Sequence, residues 1–358
     1  MTVGFIGLGL IGGSIAKAIR EKHPDTIIKA WTRRREVLQK AASDDVVDVM
    51  LPSIESGFED CDIIFICVPV ITALDFLPVL KPQLKEKAIL SDVGSTKTAI
   101  HEAVEKLGLN AHFIGGHPMT GSEKIGYDFS RPILLENVYY MLTPTEDVPS
   151  ARVTELKTLI ASLGSLPLVL DYREHDRIVA AVSHVPHLIS AALVNLVEGE
   201  DNQRQLMKTV AAGGFRDITR ISSSSPAMWQ EICLANRDAI LPILDHYIEK
   251  MQEYRQAVAD ADKDKLWNIF ADCKAYRDSF SAMGHSEYSI TCDIRDEEGA
   301  IADIASALAA HNINIKNMGI THNRETEGGV IRLSFWDRAS LSRAIRTLKG
   351  SGYTVYEN

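Results

Sequence analysis

Four glycines fall within seven residues near the start of the chain, Gly7, Gly9, Gly12 and Gly13 of VGFIGLGLIGGSIA (residues 3–16). A run of buried-strand character, VGFI, leads into them, and a helical pattern, IGGSIAKAIREK, leads out. That context distinguishes a dinucleotide-binding turn from a chance cluster of glycines. Gly7 permits the tight turn and Gly9 lets a pyrophosphate approach the backbone. Gly12 lets helix and strand pack closely, with the anion on the helix N-terminus. Gly7, Leu8, Gly9, Leu10, Ile11 and Gly12 form the expected cofactor turn, with Val68, at the end of DIIFICV (62–68), beside it.

The rest of the chain extends this start. Up to residue 171, short β-branched runs such as IIKAW (27–31), AILSDV (88–93), HFIGG (112–116) and VYYMLT (138–143) alternate with helical patterns, the signature of a doubly wound α/β sheet of Rossmann type. From 172 to 283 the strand signal gives way to long apolar-periodic stretches, which predicts an all-helical domain. From 287 to 358, YSITCDI, IADIASALAAH, NIKNMGITH, VIRLSFW, RASLSRAIRTLKG and YTVYE read as β-α-β-β-α-β, a ferredoxin-like unit. A chain of 358 residues is long enough for several such domains.

The net charge of −10 comes with no basic stripe, which argues against nucleic acid and anionic membranes and leaves small anionic substrates to local arginines. The five cysteines are scattered without a CxxC spacing, so neither a disulfide framework nor a zinc site is expected. With no basic leader and no apolar run read as spanning length, the chain is expected in the cytoplasm.

After the second strand, AWTRRRE puts Thr32 and Arg33 where an acid would bind the ribose 2′-hydroxyl. A hydroxyl followed by arginines suits a 2′-phosphate, so NADP is favoured over NAD; the alternative is a solvated basic turn. In SDVGSTK (91–97), Ser95 stands at a strand-to-helix turn, where it could serve a ligand or, like Thr96, simply cap the helix. In GGHPMTGSEKIG (115–126), His117 beside Pro118 is expected on a glycine-flanked loop where packing asks for no histidine, and imidazole accepts a proton near neutral pH. SHVPH (183–187) places His184 and His187 on one helix face, but Pro186 and the lack of a third ligand argue against a metal pair. In GGFRDITRISSSSPAMW (213–229), Arg216 and Arg220 lie one helical turn apart, suited to carboxylates unless they merely form surface salt bridges.

Taken in order, GLGLIGGS, DVGSTK, GGHPMTGSEK, SHVPH and GGFRDITRI…MW resemble the prephenate/arogenate dehydrogenase family of tyrosine biosynthesis over residues 1 to 283. The C-terminal segment is similar to an ACT domain, an amino-acid-binding module. The resemblance implies metal-free oxidative decarboxylation of prephenate, or alternatively arogenate, with hydride transfer to NAD(P)+. It implies that His117 accepts a hydrogen bond from the ring hydroxyl, that Ser95 orients that histidine and the substrate, and that Arg220 holds a carboxylate. Arg216 and His187 would shape the same pocket, Glu123 gate it and Trp229 line it. Two departures stand out: Arg216, where relatives often carry lysine, and Thr32-Arg33 in place of the acid. The ACT resemblance implies tyrosine as effector, received near Gly299 and Ala300; Asn314 and Asn317 could supply amides or equally be turn residues, Ser281–Ser286 could act as the hinge, and the alternative is a purely structural dimerisation module. The long apolar helices favour a homodimer through the helical domain. A 3-hydroxyacid-type dehydrogenase would share the glycine turn but rely on a lysine in the helical domain. A non-catalytic amino-acid sensor is disfavoured by the intact glycines, His117 and Arg220.

Overall fold

The computed structural model describes residues 1–121, 124–284, 288–295, 297–321 and 328–357. By internal contacts the chain divides into two compact units, Met1–Glu249 and Lys250–Asn358. The helical segment expected as a domain of its own is therefore shared. Its larger part belongs to the body of the nucleotide sheet, because buried polar groups described below tie the two together.

Unit one is built on a parallel sheet of β1 (Thr2–Ile6), β2 (Ile27–Trp31), β3 (Val49–Met50), β4 (Ile63–Ile66) and β5 (Ile89–Asp92), in the order β3-β2-β1-β4-β5. A parallel bridge between Leu90 and Phe113 carries the sheet on to β6 (Ile114–Pro118). β6 pairs antiparallel with β7 (Tyr139–Pro144), which pairs parallel with β8 (Leu166–Val169). The alternation of side chains along each strand gives the sheet two apolar faces. Val3, Phe5, Ile63 and Phe65 face Ile15 and Ile19 of the Leu10–Lys22 helix and Ile160 of the Ser150–Ser162 helix. Ile6, Ile64, Ile66 and Leu90 face Leu77 of the Val70–Leu80 helix and Ile100 and Val104 of the Thr98–Lys106 helix. The result is the α/β/α layering expected of a Rossmann-type domain. The strands β3 and β8 were not apparent in the sequence: β3 has only two residues, and β8 is an exposed edge interrupted by Pro167.

The helical segment starts with one continuous helix from Tyr172 to Glu200. Its middle, Ala180–His184, widens into a π-helical turn, a feature that frequently marks functional sites. Pro186 follows closely, so the widened turn coincides with the point where the proline lacks an N–H for the helix ladder. The expectation that no run reaches membrane-spanning length is corrected here. The helix is long enough, and its most apolar 18 residues have a mean hydropathy of 1.5. The folded helix runs through Pro186 and the histidines without a break. Its first half is tied to the protein by the buried, hydrogen-bonded His175, Asp176 and His184, while 28% of that apolar window is buried within one chain. The Gly213–Thr219 helix, a 3₁₀ turn Arg220–Ser223 and the Pro226–Ala235 helix follow. The Arg237–Ala259 helix runs across the boundary between the units.

Unit two continues with the Lys263–Gly284 helix, so the expected hinge is helical up to Gly284, and Ser286 lies outside the described residues. Beyond it, β9 (Ser289–Arg295), β10 (Asn317–Thr321), β11 (Gly328–Ser334) and β12 (Val355–Glu357) form an antiparallel sheet in the order β10-β11-β9-β12. Ile290, Cys292, Ile331 and Leu333 pack on Ile304 and Leu308 of the Ala300–Ala310 helix and Ala344 and Leu348 of the Arg338–Gly350 helix. This is the split βαβ arrangement that the alternation of patterns indicated.

The close approach of β6 to β5 depends on Gly116. A methyl group there would lie 2.6 Å from the Asp92 carbonyl oxygen and 3.0 Å from the Tyr140 ring. Gly116→Ala is therefore expected to destabilise unit one by about 1–3 kcal/mol, as overpacking of a close-packed site does. Urea unfolding with an unchanged midpoint would contradict this packing.

Candidate active site

The carboxyl ends of parallel strands form the crevice where doubly wound sheets bind ligands, at the point where strand order reverses. Here that point lies between β1 and β4, and the glycine turn sits on it. Gly7 adopts φ +92°, a conformation that disfavours any side chain. A Cβ on Gly12 would lie 2.4 Å from the Gly7 carbonyl oxygen and 2.7 Å from the Cys67 side chain, so helix and strand meet here without room to spare. Gly9, by contrast, faces open space, with no heavy atom within 4 Å of where its Cβ would stand. It is the N-cap of the Leu10–Lys22 helix, no side chain caps that end, and the first turn carries no acid. A helix end with open N–H groups and no competing carboxylate fits the pyrophosphate of a dinucleotide. Leu8 is buried beneath the turn, while Leu10, Ile11 and Val68 are half-buried around it. At the end of β2, Thr32 is half-buried and Arg33 exposed.

Because β6 runs parallel to β5, His117 arrives at the same edge of the sheet. Its Nδ1 lies 2.8 Å from Nε2 of His175, and Nδ1 of His175 lies 2.8 Å from Oδ1 of Asp176. The carboxylate is itself anchored. Its Oδ1 accepts from the backbone N–H of Lys97, and its Oδ2 from that of Thr98, both at 2.8 Å. These are the open N–H groups at the start of the Thr98–Lys106 helix, so that helix is capped by a residue of a distant helix. The capping by Ser95 or Thr96 that the sequence left open is absent, and the helix has Lys97 as its N-cap residue without a side-chain bond of its own. Asn236 completes the anchorage, donating from Nδ2 to the Asp176 backbone oxygen at 2.9 Å and lying 3.0 Å from His184 Nδ1.

Burial opposes the Asp176 charge, but hydrogen bonds from His175 and Thr98 outweigh it and hold the carboxyl below its ordinary range. Burial lowers His175, although the Asp176 carboxylate offsets part of that effect. Burial holds His117 well below the ordinary imidazole value, and the neighbouring titratable groups His175, Lys97 and His184 disfavour a charge there as well. His117 is thus neutral near pH 7. Beneath it, the wholly buried Lys97 ammonium pairs with the Asp92 carboxylate, whose other oxygen accepts from Gly116 N–H at 3.1 Å. This joins β5, β6 and the helix start.

Further along the helical segment, His187 stacks on Trp229 with ring centroids 3.5 Å apart, and its Nε2 lies 3.3 Å from Ser224 Oγ. The Trp229 Nε1–H is buried without a protein acceptor among the described residues. His184 packs edge-on against the same indole, and burial pushes its pKa down to about 4. Arg216 lies within its helix, but Arg220 opens the 3₁₀ turn, so the two are not on one regular helix face as the spacing suggested. Both are exposed. Ser95 is half-buried at the β5 turn, yet the hydrogen bond at His117 Nδ1 goes to His175 and not to Ser95. Glu123 lies outside the described residues. In unit two, Gly299 takes φ +92° as the N-cap of the helix that Ala300 opens, and Asn314 is exposed before β10. Asn317 begins β10 and accepts the Met318 N–H with its own Oδ1 at 2.8 Å.

His175, Asp176, Lys97, Asp92 and Asn236 were not singled out from the sequence. The signal for the first two was slight, an adjacent His-Asp pair at a helix start in DYREHDR that reads as a solvated first turn.

A nicotinamide dinucleotide fits this turn, and the class that the fold and site define is the NAD(P)-dependent dehydrogenases. Residues 15–166 match the prephenate dehydrogenase nucleotide-binding domain, and residues 171–272 match the prephenate dehydrogenase dimerization domain. The chain is 36% identical over 349 residues to the prephenate dehydrogenase of Bacillus subtilis (strain 168), covering 96% of this chain and 94% of that protein. Among solved structures it is similar to prephenate dehydrogenase from A. aeolicus in complex with hydroxyphenyl propionate and NAD+. There the TM-score is 0.73 and the identity 28%, over 78% of this chain and 98% of that one. Synechocystis arogenate dehydrogenase gives a TM-score of 0.71 at 30% identity, over 78% of this chain and all of that one. This chain belongs to the prephenate dehydrogenase family.

Proposed function

We propose that this enzyme oxidatively decarboxylates prephenate to 4-hydroxyphenylpyruvate in tyrosine biosynthesis. The observation that carries the reading is the convergence of the open glycine turn and the neutral, half-buried His117 at one edge of one sheet. NAD(P)+, when bound, supplies the hydride acceptor. His117 accepts the proton of the ring hydroxyl as hydride leaves the carbon that bears it. The carboxylate on the opposite ring carbon then departs as carbon dioxide, its bonding pair passing through the ring to the oxygen, which takes a proton back from His117 as the ring becomes aromatic. Arg220 holds a substrate carboxylate with Arg216 nearby, since a guanidinium fork matches a carboxylate in charge and shape. Ser95, His187 and the Trp229 indole N–H line the same pocket.

Thr32 and the exposed Arg33 at the end of β2 receive a 2′-phosphate, which makes NADP+ the preferred cofactor. The enzyme works as a homodimer through its helical segment. Val182, Leu196 and Leu234 are each more than half exposed in one chain, an apolar surface that a second copy would cover. All five cysteines are free, in keeping with the reducing cytoplasm where we place the enzyme. The split βαβ unit after β9 acts as an ACT domain that receives tyrosine at the Gly299 turn and transmits feedback inhibition.

His117→Asn is expected to leave cofactor affinity nearly intact and to lower turnover by about 10²- to 10⁴-fold, the usual contribution of a positioned base. Steady-state rates with prephenate and with arogenate check this, and unchanged turnover would remove His117 from the chemistry. Titration of both cofactors should show Arg33→Ala weakening NADP+ by about 1.5–3 kcal/mol, the range of a charged hydrogen bond, while sparing NAD+. Equal effects would return this stretch to a solvated turn. For regulation, tyrosine should inhibit the wild-type chain, and Gly299→Val, strained at φ +92°, should relieve that inhibition without changing the uninhibited rate. Undiminished inhibition in the variant would assign tyrosine to the active site as a product-like competitor.

A further inference from the structure

We infer that His175 and Asp176 are positioning residues that fix His117 in the tautomer with its proton on Nδ1, so that the Nε2 lone pair is the one presented to substrate. The inference rests on His117 being the base, and it assigns a role to two residues that do not themselves reach the substrate.

The hydrogen-bond chain has a direction, and the direction follows from its far end. Asp176 is acceptor-only when ionised, and both of its oxygens already accept backbone N–H groups at a helix start, where the helix dipole also favours negative charge. His175 Nδ1, at 2.8 Å from Oδ1, must therefore carry the proton and donate it. A neutral imidazole with its proton on Nδ1 has a bare Nε2. That nitrogen lies 2.8 Å from His117 Nδ1, so His117 must in turn donate from Nδ1. Its Nε2 is left as the acceptor, and no other described residue makes a hydrogen bond to it. Reversing any one bond would place two protons or two lone pairs face to face.

The chain is enclosed, which keeps water from offering an alternative arrangement: His175 is wholly buried and Asp176 is 2% exposed. The same geometry serves the reaction after proton uptake. Once Nε2 has taken the hydroxyl proton, His117 is a cation whose Nδ1–H points along the chain toward the Asp176 charge, which stabilises it.

Asp176→Asn tests the inference in the full-length enzyme. An amide at 176 is uncharged and has one oxygen for three donors: with the oxygen in the place of Oδ1 its NH2 faces the Thr98 N–H, and with the oxygen in the place of Oδ2 its NH2 faces the Lys97 N–H and His175 Nδ1. Either way the carboxylate charge that holds the proton on His175 Nδ1 is lost, and with it the force that fixes the His117 tautomer. The expected results are a fall in kcat of about 10²- to 10⁴-fold with the cofactor Kd unchanged, and an acid limb of kcat/KM displaced to lower pH. The groups facing His117 (His175 and His184 from the long helix, Lys97 from the helix start and Asp92 from β5) are otherwise retained, so the displacement reports the lost carboxylate charge.

A second measurement needs no variant. Nitrogen-15 NMR of the wild-type enzyme, with the His117 resonance assigned by its absence in His117→Asn, should show Nδ1 protonated and Nε2 bare near pH 7. A proton on Nε2 in the wild type, or an Asp176→Asn enzyme with unaltered kcat and pH profile, overturns the inference. His117→Asn in the same assay keeps the two readings apart. If it is inactive while Asp176→Asn is normal, the base stands and only the positioning role falls.

Discussion

One buried carboxylate holds the site together. Asp176 comes from the helical segment, yet it satisfies the first two N–H groups of a helix that belongs to the nucleotide sheet, 79 and 78 residues away in sequence. A helix start has open donors that must find partners, and when it is buried only a protein group can provide them. The Thr98–Lys106 helix has lysine as its N-cap residue, which cannot accept a bond, so it depends on the distant acid. The same carboxylate needs those donors in turn, since an ion so deeply buried is tolerated only when paired and hydrogen-bonded. The mutual dependence docks the helical segment onto the sheet, and Asn236 extends it to a further helix.

A buried ion pair, Lys97 with Asp92, ties β5 to the start of the same helix. Buried pairs of this kind are weak sources of net stability but are costly to break from one side. Their consequence here is geometric and electrostatic. They set the close approach of β6 to β5 through Gly116, and the dry packing beside them keeps His117 neutral and able to accept a proton. The dinucleotide turn meets the same edge by a separate route, the steric demands of Gly7 and Gly12 against Cys67. The cofactor cradle and the base thus meet at one crevice although no direct bond between them is needed.

The sequence alone determined the layers. A strand leading to glycines and then to a helix has few folded solutions, alternating apolar runs select a parallel sheet, and the later change of period separates helical from β-α-β-β-α-β regions. It also marked His117, because glycines on both sides leave packing no reason for an imidazole. The meaning of His175 and Asp176 was decided only by tertiary structure. In DYREHDRIV they are an ordinary polar first turn, and nothing local says that the turn is buried or that another helix start lies opposite. The turn residues Ser95 and Thr96 looked like caps because capping is normally local, and the actual cap comes from another part of the chain. Periodicity and turn chemistry depend on neighbours a few residues apart, so sequence carries them. The pairing of a buried charge depends on groups brought together across the fold, and only the folded chain specifies them.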